Sequence, residues 1–248
     1  MNSILLPSVK SLYIQLLFED TILSTGTAFS VQTSQGAMLI TNRHNLTGRD
    51  QNTDRCLHNM GGLPTHVRIH HHATGALGTW IEKTEALYKD GVRRWLEHPA
   101  LGSRADVVAL PLVETDGVDL HPYDLYNEGC DFVVGPADPV SVIGFPFGLT
   151  AHGKFPIWAT GFIATEPIFD YEDLPVFLVD CRSRKGQSGS PVIAQRNSGT
   201  VTRPSGAVVT FGGPVSQFLG IYSGRINNES DLGFVWKTRA IQEIIAFN

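Results

Sequence analysis

Short β-prone runs separated by turn-forming residues recur along the first half of the chain. The segments SLYIQLLFED (11–20) and TGTAFSVQTSQGAMLITNRH (25–44) are typical of strand, turn and strand, with turns at Gly26 and at residues 34–36. This pattern predicts a six-stranded β-barrel that closes by about residue 115. Residues 48–104 are less regular, and we expect long surface loops between strands there.

The second half repeats the β pattern and then changes period. Its last segment, KTRAIQEIIAFN (237–248), has apolar residues at helical spacing, which predicts a terminal helix packed on a second barrel. The strands predicted after residue 106 are VVALPL (107–112), PVSVIGFP (139–146), IWATGFIATE (157–166), VFLVDC (176–181), PVIAQ (191–195), FLGIYSGRI (218–226) and DLGFVW (231–236).

The chain is therefore predicted to contain two β-barrels joined by a linker. We place the N-terminal barrel at residues 1–115, the polar linker at 116–136, and the C-terminal barrel with its helix at 137–248. The 25 glycines, 14 prolines and 17% charged residues among 248 agree with an all-β fold of many short strands.

Charge and cysteine content narrow the function further. A net charge of −5 does not favour electrostatic attraction to nucleic acid or to an anionic membrane surface, so neither partner is expected. No window approaches the roughly 20 apolar residues of a membrane span, and the N-terminal segment lacks the features of a signal peptide. Cys56, Cys130 and Cys181 are an odd number at wide spacing, which favours free thiols and a reducing, cytoplasmic location.

The hexapeptide GQSGSP (186–191) places a serine between glycines, just before a β-prone run. A serine nucleophile must be exposed in such a turn, with the N–H groups of Gly186 and Ser188 directed at the carbonyl oxygen that becomes an oxyanion. Gly186 permits the required backbone conformation, and Gly189 permits close approach of a neighbouring segment. Taken alone, the hexapeptide is equally compatible with an ordinary turn.

Two further motifs supply partners for this serine. ITNRH (40–44) places His44 at the end of a predicted strand as a general base, and RADVVALPL (104–112) places Asp106 where its carboxylate can orient the imidazole. Alone, His44 could be a structural histidine and Asp106 an ordinary residue at a strand start. Together, the order His44, Asp106, Ser188 predicts a catalytic triad in the cleft between the barrels.

In these motifs the chain resembles the trypsin-like (chymotrypsin-fold) serine peptidases, most closely their bacterial HtrA-like branch. The segments that carry the resemblance follow one another in family order: GTAFSV with LITNRH, ADVVALPL, GFPFG, GQSGSPV, and FLGIYSG followed by DLGFVWKTRAIQEII. They span nearly the whole chain, with residues 48–104 covered least. The resemblance implies a double six-stranded β-barrel, an active site in the cleft, and an acyl-enzyme mechanism without a cofactor.

The chain departs from the family in two respects. Ser190 stands where the family usually has a second glycine, a small-for-small change that a tight turn should tolerate. No PDZ-like module is expected after the closing helix, so the substrate tethering of full HtrA proteins is not carried over.

The resemblance also indicates a substrate pocket walled by the segment before the nucleophile and by residues 221–224. Trypsin-type members bind basic side chains with an acidic residue six positions before the nucleophile, whereas this chain has Arg182 there and Arg225 after the pocket strand. A basic pocket would favour an acidic or polar residue before the scissile bond. The alternative is that both arginines point to solvent. The candidate substrate-binding residues are Arg182, Tyr222, Ser223, Gly224 and Arg225.

A histidine cluster at His66, His70, His71 and His72 contains common metal ligands. Successive strand residues point to alternate faces, so three consecutive histidines cannot all converge on one ion. We therefore expect a solvated loop or strand edge here and no metal site.

Three functions fit these observations. The first is a serine endopeptidase acting on protein or peptide substrates. The second is a binding or scaffold domain that keeps the fold without useful catalysis. The third is a latent intracellular effector, switched on by an activating protein partner or by a change in the loop 182–187. The complete set of His44, Asp106 and Ser188 favours the first.

Overall fold

The structure is a computed structural model that describes residues 4–126, 131–227 and 229–247. The helices are short: α1 (Leu6–Lys10), α2 (Arg43–Thr47) and α3 (Thr238–Ala246), with a 3₁₀ turn at Pro146–Gly148. The strands of the first half are β1 (Ser11–Phe18), β2 (Thr21–Thr33), β3 (Gly36–Thr41), β4 (His66–Ala73), β5 (Ala76–Ala86), β6 (Tyr88–Lys89), β7 (Val92–Arg93), β8 (Leu96–Glu97), β9 (Val108–Pro111) and β10 (Val118–Asp119). Those of the second half are β11 (Pro139–Gly144), β12 (Ile157–Ile163), β13 (Val176–Asp180), β14 (Pro191–Arg196), β15 (Gly199–Thr202), β16 (Val208–Phe211), β17 (Val215–Arg225) and β18 (Leu232–Lys237).

The first half is an antiparallel sheet in the order β10-β4-β1-β2-β3-β9-β8, with β5 paired to β4. Apolar residues on alternate positions of β1, such as Ile14 and Leu16, are fully buried and pack on Leu39 and Val67 of neighbouring strands. Period-2 alternation is what a strand needs to cover one side of a core.

The second half closes into a six-stranded barrel in the order β11-β12-β13-β18-β17-β14. Its interior is filled by Val142, Phe177, Val192 and Val235, each at most 2% exposed. The predicted all-β, trypsin-like fold with a C-terminal helix is confirmed.

A third apolar cluster joins the two halves. Phe29 and Ile40 of the first sheet pack in one group with Ile143 and Ile221 of the second barrel and with Ile241 of α3. Burial of this shared surface fixes the relative position of the strand ends that carry the candidate catalytic residues.

Residues 48–104 differ from the sequence expectation, because β4 and β5 form a long antiparallel pair there instead of surface loops. The prediction of a solvated histidine cluster was also wrong, since His70, His71 and His72 are at most 3% exposed inside β4. Two of these rings pack against aromatic side chains: the ring centroid of His70 lies 5.1 Å from that of Tyr13, and the ring centroid of His72 lies 4.0 Å from that of Trp80. A reading that counts histidine as polar therefore misses this strand.

Three remaining expectations concern absences. In the described ranges, no group of three or more His, Cys, Asp or Glu side chains is arranged to hold a metal ion. None of the helices in those ranges combines the length and apolar character that a membrane crossing requires. Cys56 and Cys181 are free thiols, and Cys130 lies outside the described residues.

Candidate active site

The structure brings His44 and Asp106 into direct contact. His44 lies in the first turn of α2, immediately after β3, and Asp106 precedes β9, which pairs with β3. The Asp106 carboxylate accepts two hydrogen bonds from His44, one from the backbone N–H at 3.0 Å and one from ring Nδ1 at 2.7 Å. Asn42 Nδ2 donates to the Asp106 carbonyl at 2.6 Å. Backbone and ring are thus oriented by one buried carboxylate, which leaves Nε2 as the ring atom available to the cleft.

Two opposing effects act on the pKa of His44. Burial disfavours the charged imidazolium, but the negative charge of Asp106, its hydrogen bond to the ring and the charge of Asp50 outweigh it and raise the pKa of His44 above its ordinary value. Asp50 keeps its charge because the hydroxyl and amide of Thr53 donate to its carboxylate, which lowers the pKa of Asp50. The imidazole therefore faces two carboxylates.

The turn that carries Ser188 joins β13 to β14 and needs its glycines. Gly186 and Gly189 have φ of 92° and 88°, in the left-handed region where side chains are disfavoured. A Cβ at Gly189 would collide with the carbonyl oxygen of Thr27, and one at Gly186 with that of Phe145. The glycine pattern read from the sequence thus reflects both backbone conformation and close contact with other segments.

The amides of this turn divide into two groups. Gln187 donates to the Arg184 carbonyl, Gly189 to that of Tyr222, and Ser190 to that of Gln187. Within the described residues, the N–H groups of Gly186 and Ser188 donate to no protein acceptor.

The peptide that carries the Gly186 N–H is oriented by a contact on its other side. The Lys185 carbonyl accepts a hydrogen bond from the Phe147 N–H at 2.6 Å. The described peptide bonds include no cis bond, so the Gly186 N–H points away from Phe147. The carbonyl of this peptide is therefore engaged with the 3₁₀ turn, and its N–H is left on the opposite side.

A cleft of about 630 Å³ contains all three candidate catalytic residues. His44, Asp106 and Ser188 line it together with Gly186 and Asp50. In the described part of the chain, no hydrogen bond joins the Ser188 hydroxyl to the His44 ring. Such bonds are commonly long in the absence of substrate and shorten when substrate binds.

The candidate substrate-binding residues are distributed unequally around this cleft. Ser223 and Arg225, on one face of β17, line it beside Ser188, and so does Lys185. Arg182 is 78% exposed, lies 3.9 Å from Asp231 and does not line the cleft.

Tyr222 and Gly224 lie next to these residues but do not line the cleft. The Tyr222 side chain is buried, and its hydroxyl contacts the Ser183 hydroxyl. Burial raises the pKa of Tyr222 to about 12, so the phenol stays neutral. Tyr222 therefore supports the pocket strand from within the barrel.

Sequence reasoning missed Asp50, Asn45 and Thr27 at this site. Asn45 directly follows His44, and Asp50 lies in the loop after α2. Thr27 belongs to the GTAFSV segment, which carried the family resemblance as a strand without an assigned polar role. The only signal available was the adjacency of Asn45 to the candidate base.

Comparison with known proteins gives likeness at the level of structure. No protein-family model matches the chain, and no curated protein matches it. The chain is similar to the serine endoprotease from Yersinia pestis, with a TM-score of 0.52 and 13% identity over 97% of this chain and 62% of that one. It spans less than two thirds of that protein's length.

The chain is also similar to the Rv3671c protease from M. tuberculosis. An inactive form matches with a TM-score of 0.50 and 17% identity over 97% of this chain and 89% of that one. The active form matches with a TM-score of 0.50 and 15% identity over 97% and 81%. At these identities the likeness shows the fold, which is that of trypsin-like serine proteases.

Proposed function

We propose that this protein is a serine endopeptidase in which Ser188 is the nucleophile, His44 the general base and Asp106 the residue that orients the base. The observation that carries the proposal is the cleft itself. Three segments that are distant in sequence place His44, Asp106 and Ser188 in this one cleft. His44 and Asp106 are joined there by a 2.7 Å hydrogen bond, and Ser188 lies in a turn between glycines. The fold shared with serine proteases supports the same assignment.

The proposed mechanism follows from these positions. Ser188 Oγ attacks the peptide carbonyl carbon while His44 Nε2 accepts its proton, and Asp106 stabilises the resulting imidazolium. The N–H groups of Gly186 and Ser188, which have no acceptor in the part of the chain that the structure describes, are the donors for the oxyanion, a contribution worth about 10²- to 10³-fold in kcat for each donor. His44 then protonates the leaving amine, and water attacks the acyl-enzyme by the reverse sequence of proton transfers.

We also propose that the substrate pocket favours an acidic residue before the scissile bond. Arg225 and Ser223 line the cleft together with Ser188, and Lys185 adds a second positive charge to the lining. Charge-assisted hydrogen bonds from a guanidinium match the planar carboxylate of Glu or Asp. Arg182 has no place in this pocket, since its side chain is exposed and lies close to Asp231.

A cytoplasmic location and control by a protein partner complete the proposal. The free thiols of Cys56 and Cys181 suit a reducing compartment. An uncontrolled protease in a cell would be harmful, and the structurally similar Rv3671c protease has an inactive and an active form. The loop 182–187 determines the orientation of the Gly186 N–H, so a partner that changes the conformation of this loop could control activity. A scaffold protein without catalysis is the alternative.

The test combines covalent labelling with substrate profiling. A fluorophosphonate should label the wild type at Ser188, and a diverse peptide library should be cleaved, whereas Ser188→Ala and His44→Ala should abolish both. Ser190→Ala is the matched control, because this buried hydroxyl has no hydrogen-bond partner among the described residues and its loss should leave labelling intact. Cleavage by Ser188→Ala at the wild-type rate would refute the nucleophile. A folded wild type that neither labels nor cleaves would favour the scaffold alternative.

A further inference from the structure

Thr27 connects the first sheet to two turns of the second barrel through one buried hydroxyl. Its side chain lies on β2 and is 0% exposed. The hydroxyl donates to the carbonyl of Gly186 at 2.8 Å and accepts from the N–H of Phe145 at 3.1 Å. Both partners are backbone groups, one in the turn of Ser188 and the other in the segment next to it.

Asn45 makes the second half of this connection. Its side-chain amide donates to the Ser188 carbonyl at 3.2 Å and to the Thr41 hydroxyl at 3.0 Å, and that hydroxyl donates to the Thr27 carbonyl at 2.8 Å. The Thr27 N–H also donates to the Ser188 carbonyl at 3.0 Å. Thr27, Thr41 and Asn45 thus form one buried hydrogen-bonded group, which we call the interbarrel bridge.

The bridge binds two cleft-lining residues, Gly186 and Ser188, whose N–H groups donate to no protein acceptor among the described residues. Gly186 and Gly189 give the turn backbone freedom that other residues lack, so its peptide planes are held by hydrogen bonds rather than by side-chain sterics. Thr27 binds the carbonyl of Gly186, and Thr27 with Asn45 binds that of Ser188. Each peptide plane that follows a candidate oxyanion donor is therefore anchored to the first sheet.

We infer that Thr27 and Asn45 are positioning residues that hold the Gly186 and Ser188 amides in the orientation needed to bind the oxyanion. The inference rests on the proposed function and adds to it a dependence of the oxyanion site on the first sheet. The donors belong to the second barrel, whereas Thr27 lies on β2 and Asn45 on α2 in the first half, so the site is complete only when the halves are packed together. Asn45 lines the cleft but Thr27 does not, so loss of the Thr27 hydroxyl should affect the transition state more than substrate binding.

The test uses two substitutions of Thr27 that differ in the hydroxyl. Thr27→Val keeps the shape and removes the hydroxyl, and Thr27→Ser keeps it. We expect Thr27→Val to lower kcat by about 10- to 100-fold at nearly unchanged KM, below the loss of a whole oxyanion donor, and Thr27→Ser to stay within a few-fold of wild type. Thr160→Val, which removes an exposed hydroxyl bonded to Ser141 on the second barrel, is the control and should be silent.

A second readout separates positioning from general damage to the fold. A peptide aldehyde forms a tetrahedral adduct that uses the oxyanion donors, whereas the matching peptide alcohol has no carbonyl for Ser188 to attack and forms no oxyanion. Thr27→Val should weaken aldehyde binding by the same factor as kcat and leave binding of the peptide alcohol unchanged. Equal losses for both ligands, or wild-type kcat in Thr27→Val, would overturn the inference.

If Thr27→Val does not fold, a substitution of Asn45 tests the inference instead. Asn45→Ala removes the amide that bonds to the Ser188 carbonyl and should show the same selective loss for the aldehyde. A wild-type enzyme that is itself inactive would refute the proposed function instead. A working wild type with unaffected Thr27→Val or Asn45→Ala would refute only the bridge.

Discussion

Two carboxylates, Asp106 and Asp50, determine the electrostatic environment of His44, and the sequence predicted only Asp106. The Asp106 partner could be predicted, because an aspartate opening an apolar run after a histidine motif is a recurring arrangement. Asp50 could not, because its influence depends on how the loop after α2 folds back over the cleft. Both carboxylates raise the pKa of His44 against the effect of burial, so the second one should be measurable in the pH dependence of activity.

We expect Asp50→Asn to shift the acidic limb of the kcat/KM profile to lower pH. The charge of Asp50 stabilises the imidazolium, so its removal lowers the pKa of His44 and keeps the base neutral in more acidic solution. The effect on the plateau should be small, within about ten-fold, since Asp50 does not hold the ring. A profile measured from pH 4 to 9 on a neutral peptide substrate tests this.

Asp106→Asn is the contrasting variant. It should lower the plateau by about 10⁴-fold by favouring the wrong imidazole tautomer. A limb that stays in place or moves to higher pH in Asp50→Asn would contradict the electrostatic account, whatever the height of the plateau.

At the scale of elements, the strands that the sequence predicts best are those with apolar runs of ordinary strand residues. The predicted strand at 176–181 corresponds to β13 (Val176–Asp180), and the predicted strand at 191–195 corresponds to β14 (Pro191–Arg196). The hairpin of β15 and β16 was missed, because its strands are only four residues long, pair with each other and bury little. Strand β4 was missed for the opposite reason, since its histidines are buried as aromatic rings.

The pocket strand β17 carries a prediction about specificity. We expect substrates with Glu before the scissile bond to exceed their Gln counterparts by about ten- to hundred-fold in kcat/KM, the range of a charged hydrogen bond. Arg225→Gln should remove this preference, because Arg225 lines the cleft. Kinetics on paired Glu and Gln peptides measure it.

Arg182→Gln is the matched control for the pocket. It changes the same kind of side chain at an exposed position outside the cleft, and it should leave the preference intact. Equal cleavage of the two peptides by the wild type would show that the pocket does not select charge. Loss of the preference in Arg182→Gln alone would move the specificity to the loop before the nucleophile.

At the scale of the whole molecule, the two halves are joined by hydrogen bonds that no local sequence pattern predicts. The Ser11 hydroxyl donates to the Ile143 carbonyl, 132 positions away, and Thr27 reaches Gly186 across 159 positions. Such pairs depend on how two independently folded surfaces fit, whereas alternation and glycine turns report only on neighbours in the chain. The meeting of His44, Asp106 and Ser188 in one cleft could be anticipated from motif order, but the hydrogen bonds of Thr27 and Asn45 to the turn of Ser188 could not.

The buried histidines of β4 make the stability of the whole fold depend on pH. Burial lowers the pKa of His70, His71 and His72 to about 4 each, with neighbouring positive charges adding to it, against an ordinary value of 6.5. At these three histidines the unfolded chain therefore binds more protons than the folded one between about pH 6.5 and 4. Stability is fully present above this window and is lost as the pH falls through it, at up to about 1.4 kcal/mol per pH unit for each proton.

We therefore expect the urea midpoint to fall when the pH is lowered from 7.5 to 5, and His71→Leu to reduce that fall. The ring nitrogens of His71 and His72 are both buried without a hydrogen-bond partner among the described residues. His71 is the more informative of the two, because His72 also packs against the ring of Trp80, so an apolar side chain of similar size loses less at His71. Urea unfolding followed by tryptophan fluorescence, in a Ser188→Ala background to prevent self-cleavage, measures the difference. If both proteins lose the same stability between the two pH values, protonation of His71 does not limit the fold, and acid sensitivity must come from other groups.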